Sequence, residues 1–171
     1  FLFAGRVEAL KGIDIAVRAF EKLPDKKLYV AGNGPMMEEM QRYVREHHME
    51  NVKFLGYLQK DEMSEKFYQA KAVIMTSQCY EAFAMTIAEA YSYGVPVIAG
   101  RVGNMDGMVQ DGITGVKFTY NSAEDLADKI SAFDAMDLSV LKKNARAFYA
   151  ERLRPEDNYQ KLIRIYEDIS K

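Results

Sequence analysis

Glu81 and Glu89 are separated by seven residues in the run Tyr80-Glu81-Ala82-Phe83-Ala84-Met85-Thr86-Ile87-Ala88-Glu89-Ala90, which follows an apolar stretch and leads into a helical one. A strand that delivers a turn of small residues and then a helix N-terminus makes an anion site, because the first N–H groups of a helix have no intrahelical acceptor. One carboxylate stands before that turn and the other a helical turn beyond it. Carboxylates repel phosphate, so their task there is to accept hydrogen bonds from hydroxyls flanking it. A nucleotide-diphosphate sugar carries its groups in that order: sugar hydroxyls, phosphates, ribose hydroxyls.

Arg6 and Lys11 supply matching cations, one just past the first apolar run and the other at the entrance of the first amphipathic segment. Ligands of open parallel sheets bind outside the carboxyl ends of the strands, which places both near a diphosphate. A lysine at the positive end of a helix dipole is mildly unfavourable, and an anion would offset that. Glu89 has the apolar or small neighbours Ile87, Ala88, Ala90 and Tyr91. They predict a buried helix, in which an unpaired carboxylate would be costly.

The elements that must position these groups alternate short apolar runs with amphipathic segments, the pattern of a parallel sheet covered by helices on both faces. Strands are expected at residues 1–4, 27–31, 52–55, 72–76, 96–99 and 116–118. The first helix carries Ile13, Ala16, Val17, Phe20 and Leu23 at helical spacing and stops at Pro24, and the second carries Met36, Met40, Tyr43, Val44 and His47. Further helices are expected at residues 61–70, 85–93, 122–133, 139–150 and 156–169, with Gly94 and Pro96 ending the Glu89 helix. The last helix sets Tyr159, Leu162, Ile163, Tyr166 and Ile169 on one stripe.

The chain has 171 residues, enough for one domain that buries roughly 70% of its unfolded surface. A formal net charge of −2 gives no bulk attraction to nucleic acid or an anionic membrane. The single Cys79 excludes an internal disulfide, and a cytoplasmic location is expected. No run approaches the ~20 apolar residues of a membrane span. His47 and His48 have no carboxylate or cysteine at ligand spacing, so no metal site is expected. Gly32-Asn33-Gly34-Pro35 is a weak dinucleotide fingerprint, because Met37 stands where the third glycine belongs.

Four segments, taken in order, resemble the donor-binding half of GT-B-fold retaining glycosyltransferases of the family 4 type. They are Phe3-Ala4-Gly5-Arg6-Val7-Glu8-Ala9-Leu10-Lys11-Gly12, then Val30-Ala31-Gly32-Asn33-Gly34-Pro35, then Glu81 to Glu89 continuing through Ala90-Tyr91-Ser92-Tyr93-Gly94-Val95-Pro96-Val97-Ile98-Ala99, and Asp111-Gly112-Ile113-Thr114-Gly115-Val116-Lys117-Phe118. The resemblance implies a Rossmann-like open parallel sheet of about six strands. Residues 1–171 would be a single nucleotide-sugar-binding domain, excised from a two-domain enzyme and inactive without the acceptor-binding half.

By the same resemblance Arg6 and Lys11 grip the phosphates and stabilise the departing nucleoside diphosphate, Glu81 meets the donor sugar and Glu89 the ribose. Gly5, Gly34, Leu58, Phe83, Ala84, Met85 and Thr86 would also line the donor, and the Gly56-Tyr57-Leu58 backbone would meet the base. No cofactor or metal is implied beyond the nucleotide-sugar donor. The partner would be an acceptor glycan, lipid or small molecule held by the missing half, in glycan or polysaccharide biosynthesis, with peripheral membrane association of the parent left open. Ala82 and Ala84 stand where glycine is commonest, and Gly107 where a glutamate is usual. The alternatives are an epimerase or phosphorylase of the same architecture and a non-catalytic nucleotide- or protein-binding domain.

Overall fold

The computed structural model describes residues 1–80 and 82–169. Strands β1 (Leu2–Ala4), β2 (Leu28–Ala31), β3 (Val52–Gly56), β4 (Val73–Met75), β5 (Val97–Gly100) and β6 (Gly115–Phe118) form one parallel sheet in the order β3-β2-β1-β4-β5-β6. The helices are α1 (Ile13–Glu21), α2 (Met37–Glu46), α3 (Lys60–Gln69), α4 (Met85–Ser92), α5 (Gly103–Met108), α6 (Ala123–Phe133), α7 (Leu138–Arg152) and α8 (Pro155–Ile169). The expected α/β class and all six strands are present, each strand within one residue of its expected bounds. Only α5 has no counterpart in the sequence expectations.

Side chains of a strand point alternately to the two faces, and here that alternation feeds two separate cores. Phe3, Val30, Ile74 and Ile98 pack with Ile13, Val17 and Phe20 of α1 and with Leu126, Ile130 and Phe133 of α6. Their neighbours Leu2, Val73, Met75, Val97 and Ala99 pack on the opposite face with Phe67 of α3, Ile87 and Tyr91 of α4 and Phe148 of α7. Each fully buried side chain of this size contributes roughly 1.5–3 kcal/mol, so both faces must be covered. Tyr91 is buried without strain on its polar end, since its hydroxyl meets Thr114 Oγ1 at 2.7 Å. Burial pushes its phenol pKa well up, so it stays neutral.

The consequence for function lies at the centre of the sheet. β1 pairs with β4 at one position only, Leu2 opposite Val73, whereas it pairs with β2 along its whole length. The helix after β1 covers one face and the helix after β4 the other, so the loops leaving these neighbouring strands part. Gly94, at φ 68°, ends α4 as expected, and the next N–H, from Val95, donates to the Ala90 carbonyl at 2.8 Å. The α8 stripe does not pack on this sheet: α8 buries no residue, and Tyr159, Leu162, Ile165, Tyr166 and Ile169 are exposed. Among the described residues no helix is long and apolar enough to cross a membrane.

Two glycines test how tightly the loops are drawn together. A Cβ on Gly32, whose φ is 137°, would lie 1.9 Å from the Gly5 carbonyl oxygen, whereas one on Gly107 in α5 would meet nothing within 4 Å. Gly32→Ala is therefore expected to destabilise the chain by more than about 1 kcal/mol, and Gly107→Ala to stabilise it by about 0.5–1 kcal/mol. Urea denaturation of the two variants should give midpoint shifts of opposite sign.

Candidate functional site

The crevice at the carboxyl ends of β1 and β4 is the topological switch point of the sheet, the place where open α/β sheets bind ligands. One wall is the loop of residues 5–12. It is tied toward β2 by Gly5 N–H to the Ala31 carbonyl, Val7 N–H to the Asn33 carbonyl and Met36 N–H to the Val7 carbonyl, each at 3.0 Å. Gly34 belongs to this tie, since a Cβ there would lie 2.3 Å from the Val7 carbonyl oxygen. The observed work of Gly34 is thus to let two loops approach each other.

The structure distributes most of the expected site residues over three spaces. Gly5, Lys11 and Thr86 come together around a small cavity of about 30 Å³ between β1 and β4, which Thr76 and Ser77 also line. Gly5, Arg6 and Leu58 share an open cavity of about 410 Å³ across the ends of β1 to β3, with Asn33, Tyr57 and Met63. Phe83, Met85 and Glu89 line a third of about 650 Å³, whose far wall is Tyr149, Arg152, Leu153, Pro155 and Asn158 of α7 and α8. Glu81 lies outside the described residues.

Lys11 stands at the entrance of α1 as expected, ending a 3-10 turn, Ala9–Lys11, just before the N-cap Gly12. Other expectations need physical correction. The predicted burial of the Glu89 helix holds for Ile87, Ala88, Ala90 and Tyr91, but Glu89 itself is exposed, on the remaining face of α4. Its carboxyl pKa is nevertheless raised, because the cavity wall strips part of its water away. Ala84 is buried and occupies the α4 N-cap at φ −83°, so only its backbone can face a ligand, and alanine fits there without strain. An alanine N-cap offers no side-chain acceptor to the first N–H groups of α4, which keeps that helix end suited to an anion.

Arg6 is exposed, with Nε 3.3 Å from Glu8 Oε2. Gln78, Tyr80 and Ala82 are held from α5 and from beyond β6: Asn104 Nδ2 donates to the Ala82 carbonyl, Tyr120 OH donates to the Gln78 carbonyl at 3.0 Å, and Gly103 fits beneath Tyr80. Gly107 is exposed in α5 with open space beside it. His47 stacks on Tyr43 at 3.8 Å, beside the start of β3 and away from the crevice. Among the described residues no group of three or more His, Cys, Asp or Glu could hold a metal ion.

Sequence reasoning missed Met63, Thr76, Ser77 and the α7–α8 wall, and gave Asn33 only within its motif. Tyr57 had appeared only within its motif. No local spacing marks residues such as Tyr149 and Arg152, which meet Glu89 across some sixty positions of sequence.

The sequence profile of the family described as glycosyl transferases group 1 matches residues 1–146. The chain belongs to that family. It is 29% identical over 150 residues to the sulfoquinovosyl transferase SQD2 of Arabidopsis thaliana, covering 85% of this chain and 29% of that protein. Among solved structures it is similar to Anabaena HepE in complex with UDP, with TM-score 0.89 and 23% identity over 98% of this chain and 48% of that one. It is also similar to sucrose-phosphate synthase of Thermosynechococcus elongatus, with TM-score 0.87 and 27% identity over 98% of this chain and 44% of that one. These neighbours are GT-B glycosyltransferases, and the sheet is one Rossmann-like half of that fold. This glycosyl transferases group 1 chain spans less than half the length of each of the three.

The desolvated Glu89 carboxyl predicts a pH effect. Its folded pKa lies above the ordinary 4.5, so its partial desolvation costs nothing below that value and costs stability progressively as pH rises from there through the folded pKa. Glu89→Gln should therefore gain in thermal stability relative to wild type as pH is raised from about 4 to 7. Paired melting curves at the two pH values check the sign.

Proposed function

We propose that this chain is the donor-binding domain of a retaining glycosyltransferase, which moves a sugar from a nucleotide-diphosphate sugar to an acceptor hydroxyl. The observation that carries the proposal is the meeting of Gly5, Lys11 and Thr86 at the β1–β4 switch point in a member of a glycosyltransferase family. HepE, which shares this fold, was solved with UDP, and that supports a nucleoside diphosphate as the ligand class. The acceptor would be a glycan, lipid or small molecule held by another part of the parent protein, and the setting glycan or polysaccharide biosynthesis in the cytoplasm or on the cytoplasmic face of a membrane.

In this proposal Arg6 and Lys11 hold the diphosphate at the N-terminus of α4, where Thr86 offers its backbone N–H and the Met85 N–H would have to turn from the Phe83 carbonyl, to which it donates at 3.1 Å. Glu89 accepts from the ribose hydroxyls, Glu81 and the Phe83–Ala84 turn meet the sugar, and Gly34, Leu58 and the backbone beside Tyr57 border the nucleoside. Chemistry proceeds by front-face displacement: the bond from the anomeric carbon to the phosphate oxygen breaks, the acceptor oxygen bonds from the same side, and the acceptor's proton passes to the departing phosphate oxygen. The charge that grows on the departing phosphate is met by the two cations and the helix end, groups already in place before reaction. Their fixed positive charge would let the site act without a divalent metal.

Arg6→Ala and Lys11→Ala should each weaken UDP by roughly 10- to 150-fold, the equivalent of one charge-assisted contact, and leave uridine nearly unaffected. Calorimetric titration of both ligands in EDTA tests this, and wild-type affinity for UDP in both variants would refute the phosphate clamp. Glu89→Ala should weaken UDP itself, whereas Glu81→Ala should spare UDP and weaken only its sugar conjugate. Equal losses for both ligands in both variants would defeat that division of labour.

A further inference from the structure

The geometry points to Thr76 and Ser77, which leave the carboxyl end of β4, as positioning residues that set the place of Lys11. This inference rests on the diphosphate-binding role proposed above for Lys11. Four polar residues are buried in the described chain: Asn51, Thr76, Ser77 and Thr114. Two of them close the fold. Asn51 Nδ2 donates to the carbonyls of Phe20, Leu23 and Lys26 at 2.9, 2.9 and 3.0 Å, and Thr114 Oγ1 meets the Tyr91 hydroxyl and accepts from the Gln110 N–H at 2.9 Å.

The other two, 3% and 2% exposed, face the turn that carries the cation. Thr76 Oγ1 donates to the Lys11 carbonyl at 2.9 Å, Ser77 Oγ donates to the Leu10 carbonyl at 3.3 Å, and the Gln78 N–H donates to the same Leu10 carbonyl at 2.8 Å. Gly12 brings the two backbones together: it sits at φ 65°, and a Cβ there would lie 2.1 Å from the Thr76 carbonyl oxygen. The loop of residues 5–12 is thus strung between the ends of β2 and β4. Its ties on the β2 side are backbone bonds at Gly5 and Val7, whereas Thr76, just beyond β4, reaches the Lys11 carbonyl with its side chain.

Threonine suits this task because its branched Cβ restricts χ1, so the hydroxyl is aimed before the bond forms. Serine at the next position closes a second carbonyl that burial would otherwise leave to one backbone donor. Fixing the Lys11 backbone shortens the search of its flexible stem, and less ordering cost then falls on ligand binding. Lys11 and Thr76 also line the same crevice, with Gly5 and Thr86. A displaced turn therefore moves the cation relative to the N-terminus of α4.

The test is calorimetric titration of this chain with UDP and with uridine. Thr76→Val keeps the shape of the side chain and removes the donor, so UDP should weaken by roughly 3- to 10-fold with uridine unchanged, and Thr76→Ser should restore UDP binding. In the Lys11→Ala background Thr76→Val should cause no further loss, because Thr76 acts only through Lys11. Thr114→Val, equally buried but remote from the crevice, should lower stability and leave UDP affinity as in wild type. Should Thr76→Val fail to fold, Ser77→Ala carries the same comparison with the second hydroxyl.

Wild-type UDP affinity in Thr76→Val, with Lys11→Ala weakened, would overturn the positioning role and leave the proposed function standing. Equal losses for UDP and uridine, or losses that add in the double variant, would show a general structural effect and overturn it as well. Wild-type UDP affinity in Lys11→Ala would remove the diphosphate role and this inference with it.

Discussion

The pairing of β1 with β4 at one position is the constraint on which the rest of the site depends. Leu2 and Val73 hold the two strands together near their starts, and beyond that point each strand follows its own helix to a different face. Had the pairing continued, the space between the strand ends would be filled by backbone. Because it stops, a cationic loop and a helix N-terminus meet at a gap in the middle of a fully packed sheet. The two cores that flank the sheet make the gap rigid, since moving either wall would expose apolar side chains worth several kcal/mol in all.

How much of this could be read from sequence depended on how local its cause is. Strands that are buried on both faces appear as short apolar runs, so Val73–Met75 and Val97–Gly100 were legible without any knowledge of their partners. The long helices were legible through their stripes, as with Ile13, Ala16, Val17 and Phe20 of α1. α5 was not, because its six residues include Gly103 and Gly107 and are too few to set a stripe. Its place is fixed from outside, by Met105 in the core and Asn104 on the Ala82 carbonyl.

The candidate site shows the same division. Glu89, Lys11 and Arg6 carry charge and stand beside obvious strand ends, so their type and order announced them. The cavity that Glu89 faces was invisible, because Tyr149, Arg152 and Asn158 arrive from helices far along the chain. The direction of Glu89 was misjudged for a simpler reason. Neighbours along a helix differ by about 100° in direction, so burial of Ile87, Ala88, Ala90 and Tyr91 leaves one narrow face open, and Glu89 occupies it. Thr76 and Ser77 were passed over because small hydroxyl residues at a strand end resemble ordinary turn formers.

The clasp after β4 gives the mouth of the crevice two rims with different anchors, joined at Gln78. The cationic loop is fastened from the ends of β2 and β4, whereas Gln78 is held by Tyr120 beyond β6 and Ala82 by Asn104 in α5. A change at Asn104 acts on the rim at Ala82, whereas a change at Tyr120 also reaches the Lys11 turn, because the Gln78 that it holds donates its N–H to the Leu10 carbonyl. A chain built this way can diversify what it admits on one side by drift in α5, while the charged side stays under the guard of the central strands.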